Sequence, residues 1–145
     1  MILYLDTSAL LKKYFKEAGS RDIITRWKEA TGIVTSSVAY AETMASFYRK
    51  KREVNIDAKS FEVLLDTFRR DWGSFIRVEV SDDLNDRIEK TIAKHPVRGF
   101  DAIHLASALL VHELVRGDFL FACYDKKLNL AAQKAGLKTF PEVLA

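Results

Sequence analysis

The segment Ile2-Leu3-Tyr4-Leu5 is the strongest constraint on the fold, because it offers no polar face and stops on an acid, Asp6. A short apolar run of this kind reads as a strand covered on both sides, the situation of a central strand in a parallel sheet. Three further runs behave similarly: Ile33-Val34-Thr35, bounded by Gly32 and Ser36-Ser37; Phe75 to Val80; and Phe119 to Ala122. Leu137 to Phe140 is a short candidate last strand before Pro141.

Helical segments fill the intervals. One is expected through Ala9-Leu10-Leu11 towards Glu17, with Gly19-Ser20 closing it and Ser20 capping the next. Others are expected over Val38 to Lys51, from an Asp57 cap to about Trp72, and from a Ser81 cap to His95-Pro96, where proline ends the helix. Phe100 to Val115 is helical, and Asp125 reads as the cap of a last helix ending at Gly136, a suitable C′ residue. Strands alternating with helices predict a three-layer α/β/α sandwich around a mostly parallel sheet of four to five strands. With 145 residues and 48% hydrophobic content, the chain has the size of one domain spanning 1–145.

Composition narrows the function. Only 2 Pro and 6 Gly against 30% charged residues argue against disorder and against an all-β fold. The net charge of +3 is compatible with a polyanionic partner without requiring one. Cys123 is the only cysteine, so an internal disulfide is excluded and a reducing, cytoplasmic setting is expected. The N-terminal apolar run is interrupted by Asp6 and then by Lys12-Lys13, so it does not read as a signal peptide. No apolar run approaches the ~18 residues needed to span a bilayer.

Four acids stand in apolar company: Asp6, Glu42, Asp101 and Asp125. Asp6 and Asp125 follow strands, and ligands of open parallel sheets collect at the carboxyl ends of strands. Each acid also has a simpler reading. Asp6 and Asp125 cap helices, and Asp101 suits the first turn of its helix, where the dipole favours an acid. Glu42 shares a stripe with Val38, Ala45 and Arg49, which predicts a packed environment; the competing reading is an ion pair with Arg98. If the four converge to about 5 Å, each ionised pair repels by roughly 3 kcal/mol at an effective dielectric near 20. Such a site needs either protonated acids or a cation, and all-oxygen ligands select Mg²⁺ or Mn²⁺ over zinc. Scattered His and Cys do not make a zinc site, and the glycine-rich phosphate loops of nucleotide folds are absent.

Taken with the segments around them, these residues resemble a PIN domain, and more closely a VapC-type toxin ribonuclease. The likeness rests on Tyr4-Leu5-Asp6-Thr7-Ser8-Ala9-Leu10, Ser36-Ser37-Val38-Ala39-Tyr40-Ala41-Glu42, Arg98-Gly99-Phe100-Asp101-Ala102-Ile103-His104-Leu105-Ala106, and Asp125-Lys126-Lys127-Leu128. The resemblance implies a metal-dependent endoribonuclease, the toxin of a toxin–antitoxin pair, with Asp6, Glu42, Asp101 and Asp125 holding Mg²⁺ or Mn²⁺. It implies products carrying a 5′-phosphate and a 3′-hydroxyl. Thr7 or Ser8 would lie near metal or phosphate, and Arg98 and His104 close by. Lys12, Lys13, Arg49, Lys126 and Lys127 are candidates for holding RNA, although the run Arg49-Lys50-Lys51-Arg52 also reads as a solvated helix end.

The expected partners are an RNA substrate, a cognate antitoxin and a second copy in a homodimer, with no membrane. Tyr40, Met44, Phe47, Phe61, Leu65 and Phe68 supply either core or partner surface. One departure from the family pattern is Cys123, where Thr or Ser usually precedes the last acid by two residues; a thiol is the poorer hydrogen-bond donor. The alternatives are a catalytically silent PIN scaffold that binds RNA or protein, and a structure-specific DNA nuclease.

Overall fold

The computed structural model of the chain describes residues 1–144. The chain runs β1 (Ile2–Leu5), α1 (Thr7–Leu10), a 3₁₀ turn (Leu11–Lys13), α2 (Ser20–Glu29), β2 (Gly32–Ser36), α3 (Ala39–Val54) and α4 (Ala58–Ser74). It continues with β3 (Ile76–Val78), α5 (Asp82–Lys94), α6 (Gly99–Leu114), β4 (Phe119–Ala122), α7 (Lys126–Lys134) and β5 (Thr139–Phe140). The strands form one sheet in the order β3-β2-β1-β4-β5. Every pairing is parallel, with Leu3 opposite Ile33 on one side and Leu120 on the other. The expected sandwich is thus realised with five strands, β1 at the centre.

Alternation along the strands divides the core in two. Leu3, Leu5, Leu120 and Ala122 face Leu10, Ile23, Phe47, Phe61, Leu65 and Phe68. Tyr4, Val34, Phe121 and Cys123 face Leu105, Ala108, Leu128 and Ala132 from α6 and α7. Tyr4 stacks on Phe121 at 5.4 Å. Phe47, Phe61, Leu65 and Phe68 are consumed by the first core, Met44 packs against it, and Tyr40, 37% exposed, rests on Phe68 and Trp72. Apart from the partly exposed Tyr40, this apolar surplus is packed into the core.

Several expected boundaries move. The first helix does not run towards Glu17; it tightens to a 3₁₀ turn and ends at Lys13, so that Tyr14 and Phe15 can turn inward onto Phe47. Ser20 does not cap α2. It is the first helical residue, and its hydroxyl donates to the Phe15 carbonyl at 2.8 Å and accepts from the Glu17 amide at 3.0 Å, closing the loop. Gly19 takes φ +92°, and a side chain there would meet the Tyr124 ring at 2.9 Å, so the position favours glycine twice over. β3 is three residues rather than six, which leaves little unpaired edge.

Other expectations stand. Asp57 caps α4 through the Ser60 amide at 3.1 Å, although that helix continues past Trp72 to Ser74. The α7 terminus closes with Gly136 at φ +97°, its amide bonded to the Gln133 carbonyl and that of Leu137 to the Ala132 carbonyl. These two bonds define a Schellman motif.

Candidate metal and active site

All four acids gather on the carboxyl edge of the sheet. Asp6 follows β1 and caps α1, Glu42 and Asp101 lie in the first turns of α3 and α6, and Asp125 follows β4 and caps α7. Each therefore sits where a helix dipole favours negative charge, which offsets part of their mutual repulsion. Asp101 registers the convergence. Burial, together with the charges of Asp6, Asp125 and Glu42, lifts its carboxyl from 3.8 to about 6.

Asp6 and Glu42 are tied down. One oxygen of Asp6, Oδ2, accepts from the Ser8 hydroxyl at 2.6 Å and the Ser8 amide at 3.2 Å. Cys123 Sγ donates to the same oxygen at 3.6 Å. The sheet register explains that contact: Leu5 lies opposite Ala122, so Asp6 and Cys123 emerge side by side. The thiol thus occupies the second-partner position that the departure put in question, through a longer and weaker bond. Burial and then the Asp6 charge push Cys123 far above the usual thiol range, so it stays a neutral donor.

Glu42 Oε1 accepts from the Thr7 hydroxyl at 2.7 Å and from His104 Nε2 at 2.8 Å. Its partner is therefore His104, and the competing reading of an ion pair with Arg98 does not hold among the described residues. Glu42 does not lie on the buried stripe of α3 either. Ala45 and Arg49 are exposed, and the buried stripe of α3 is Ala39, Thr43 and Phe47. Burial pushes Glu42 up, but the His104 hydrogen bond, its charge and the Thr7 hydroxyl bring it below its ordinary value.

His104 is fully buried beneath the acids. Its Nε2 carries a hydrogen, since a carboxylate oxygen accepts there, and the Thr7 oxygen lies 3.2 Å from the same nitrogen. Nδ1 meets the Tyr4 hydroxyl at 2.9 Å. Burial alone would lower the imidazole pKa; the Asp6 charge and the Glu42 hydrogen bond outweigh it and hold the value above the ordinary one. Burial and then the Asp6 charge keep Tyr4 a neutral phenol. Tyr4 was not among the residues singled out from the sequence. The available signal was alternation, which places Tyr4 on the same face of β1 as Asp6. Asn129 was missed too: its amide donates to the Cys123 and Pro141 carbonyls at 3.0 and 2.9 Å and pins the turn that carries Asp125.

Asp101 and Asp125 are open by contrast. Asp125 Oδ1 accepts from the Leu128 amide at 2.9 Å. Asp125 Oδ2, Glu42 Oε2 and both oxygens of Asp101 have no hydrogen-bond partner among the described residues. Several unclaimed hard oxygen donors facing one edge suit Mg²⁺ or Mn²⁺. Among the described residues no three acidic, His or Cys side chains close into a finished cation cage.

The basic candidates separate. Arg98, Lys126 and Lys127 line one cleft with Asp101 and Asp125. Lys12 pairs with Glu17 at 3.1 Å and lies over the Tyr124 ring, while Lys13 pairs with Asp71 at 2.5 Å and lies over Trp27. Both are occupied by structural partners. Arg49 is exposed on α3, two turns beyond Glu42, and donates to Ser46.

Residues 3–132 of the chain match the protein-family description of the PIN domain. The chain belongs to the PIN-domain family. Over 149 aligned residues it is 32% identical to Ribonuclease VapC45 of Mycobacterium tuberculosis, covering 99% of this chain and 97% of that one. Its fold is similar to that of VapC20 of the same species, described as a toxin cleaving the sarcin–ricin loop. That pair has a TM-score of 0.63 and 16% identity, and the match covers 99% of each chain. It is also similar to a chain of a toxin–antitoxin complex from Klebsiella pneumoniae, with a TM-score of 0.63, 18% identity, and coverage of 99% of this chain and 96% of that one. Among the described residues no helix is long and apolar enough to cross a membrane.

Proposed function

We propose that this chain is a metal-dependent endoribonuclease and the toxin of a toxin–antitoxin pair, its single catalytic unit spanning residues 1–145. The observation that carries the reading is the placement of Asp6, Glu42, Asp101 and Asp125 on one edge of the sheet, with Glu42, Asp101 and Asp125 lining a common cleft. It is supported by the ribonuclease name of a relative that aligns over nearly the whole chain. Asp6, Glu42, Asp101 and Asp125 would hold the ion, which when bound polarises a scissile phosphate and activates water.

The remaining residues do the positioning. Thr7 and His104 fix Glu42, and Ser8 fixes Asp6. Arg98, Lys126 and Lys127 would neutralise RNA phosphates beside Asp101 and Asp125. A small antitoxin that covers the acidic edge, a homodimer and a cytoplasmic setting complete the proposal. The family's toxin–antitoxin complexes support the antitoxin, and a single buried thiol suits a reducing compartment.

The test is cleavage of a fluorescent single-stranded RNA panel in Mg²⁺ or Mn²⁺, with and without chelator, using Asp101→Asn purified identically. Chelator-sensitive cutting that drops at least a hundredfold in the variant is expected. Equal cutting by both proteins would assign the activity to a contaminant and overturn the reading.

A further inference from the structure

Of the nine phenylalanines in the chain, eight are buried or half-buried, and one is not. Phe100 is 59% exposed in the first turn of α6, immediately before Asp101. The core clusters do not include it, and no aromatic ring among the described residues pairs with it. Its exposed ring gains little of the burial that stabilises a packed phenylalanine. Its position adds a second peculiarity, because two clefts meet at the acids it adjoins.

The first cleft, of about 490 Å³, sets Arg98, Lys126 and Lys127 against Asp101 and Asp125. The second, of about 810 Å³, has Phe100, Val80, Ile88 and Ile103 as its apolar wall and contains Glu42, Asp101 and Asp125. Arg98, Asp101 and Asp125 belong to both. One side of the acids is therefore cationic, and the other is largely apolar with Arg98 at the margin the two share. A single-stranded nucleic acid has the same division, with charged phosphates along one edge and flat, apolar base faces along the other.

We propose that Phe100 is a stacking platform for a nucleobase adjoining the phosphate held at Asp101 and Asp125, with Val80, Ile88 and Ile103 as the floor beneath it. This rests on the nuclease reading and deepens it, since it names single-stranded RNA with an unpaired base as the substrate form. A base within an intact duplex offers no free face to Phe100, so duplex RNA is excluded from this cleft. Stacking tolerates any base, so Phe100 contributes affinity and register while the choice of sequence lies elsewhere.

The test compares wild type with Phe100→Ala, Phe100→Leu and Phe100→Tyr on single-stranded oligoribonucleotides. Cleavage is followed in Mn²⁺, and binding is followed in Ca²⁺ by the fluorescence of 2-aminopurine placed at successive positions. Phe100→Ala should raise KM roughly tenfold, within the range for losing one base–aromatic stack, with a smaller change in kcat. It should also abolish the 2-aminopurine quenching seen at one position with the wild type. Phe100→Tyr should restore both readouts and Phe100→Leu neither, which separates a ring face from mere apolar bulk.

Unchanged KM and quenching in Phe100→Ala overturn the proposal, as does full activity in Phe100→Leu. Loss of a wild-type dimer on sedimentation, with RNA binding intact, would assign the apolar wall to a second copy and also overturn it. Failure of the wild type to cut any RNA would sink the nuclease reading instead; the quenching measurement would still decide for or against Phe100.

Discussion

The two sides of the acidic site are built by different physics. On the Asp6–Glu42 side, each carboxylate has one oxygen committed to the protein, through Ser8, Cys123, Thr7 and the buried imidazole of His104. On the Asp101–Asp125 side a single capping bond to the Leu128 amide is the only such tie among the described residues, and the side chains face open clefts with basic neighbours. The first side is held by short-range hydrogen bonds around the buried Asp6 and His104, with Glu42 half-buried at its margin. The second is governed by long-range charge in the open clefts. Geometry is therefore fixed where the site is most buried, and charge is left uncompensated where a ligand can reach it.

The comparison breaks most readily at His104. Removing it would leave a cavity and strand three partners: Tyr4, Thr7 and Glu42. His104→Ala should cost on the order of 3 kcal/mol, from lost hydrogen bonds to a charged group plus the void. For a chain of this size that lowers Tm by roughly 6–12 °C. Thermal and denaturant unfolding check this, and a loss below about 1 kcal/mol would mean the relay does not hold the site together.

The open side should respond with the opposite sign. The folded carboxyl of Asp101, at about 6, lies above its ordinary 3.8, so the folded protein binds the proton more tightly than the unfolded chain. Its contribution to stability is complete below about pH 4 and is lost as pH rises through 6. Asp101→Asn cannot ionise and escapes that loss. Because Asp101 is only half-buried, solvent screening reduces the gain to about 1 kcal/mol. In chelator at pH 7.5 the variant should melt about 2–4 °C above wild type, with the gap closing towards pH 4.5. A gap that does not change with pH would refute the charge explanation.

The smallest effect belongs to Cys123. Cys123→Thr replaces a weak donor to Asp6 by a better one of similar size, so stability should shift by no more than about 1 kcal/mol, with cleavage retained. A loss well beyond that, in denaturant midpoint or cleavage rate, would show that sulfur packing outweighs hydrogen bonding at this point.

The same division governs what the sequence disclosed. Apolar runs ending on acids located β1 and β4, and with them Asp6 and Asp125, because burial on both faces leaves a pattern along the chain. Helix caps at Asp57 and Asp125 were legible for a similar reason: capping is a local event. The partner of Glu42 was not, since His104 lies 62 residues away and reaches Glu42 only after α6 docks on the sheet. The stripe drawn through Val38, Glu42, Ala45 and Arg49 assumed that an acid among apolar neighbours marks a buried face; on α3 the buried face is instead marked by Ala39, Thr43 and Phe47. Local propensity carries the first helix towards Glu17, whereas its end is set by Tyr14 and Phe15 packing on Phe47 from a distant helix.

The strand order has a consequence for when the molecule becomes dangerous. The chain lays down β1, β2 and β3 outward to one edge, then crosses back to place β4 and β5 on the far side of β1. A growing polypeptide that has passed Lys94 owns Asp6 and Glu42, but lacks Asp101, Asp125 and the imidazole that anchors Glu42. Half a site made first and half made last means that no growing chain carries the whole constellation until it has passed Asp125. The safety lies in the order of synthesis itself, and a chain divided between Lys94 and Val97 would yield two pieces, neither of which holds all four acids.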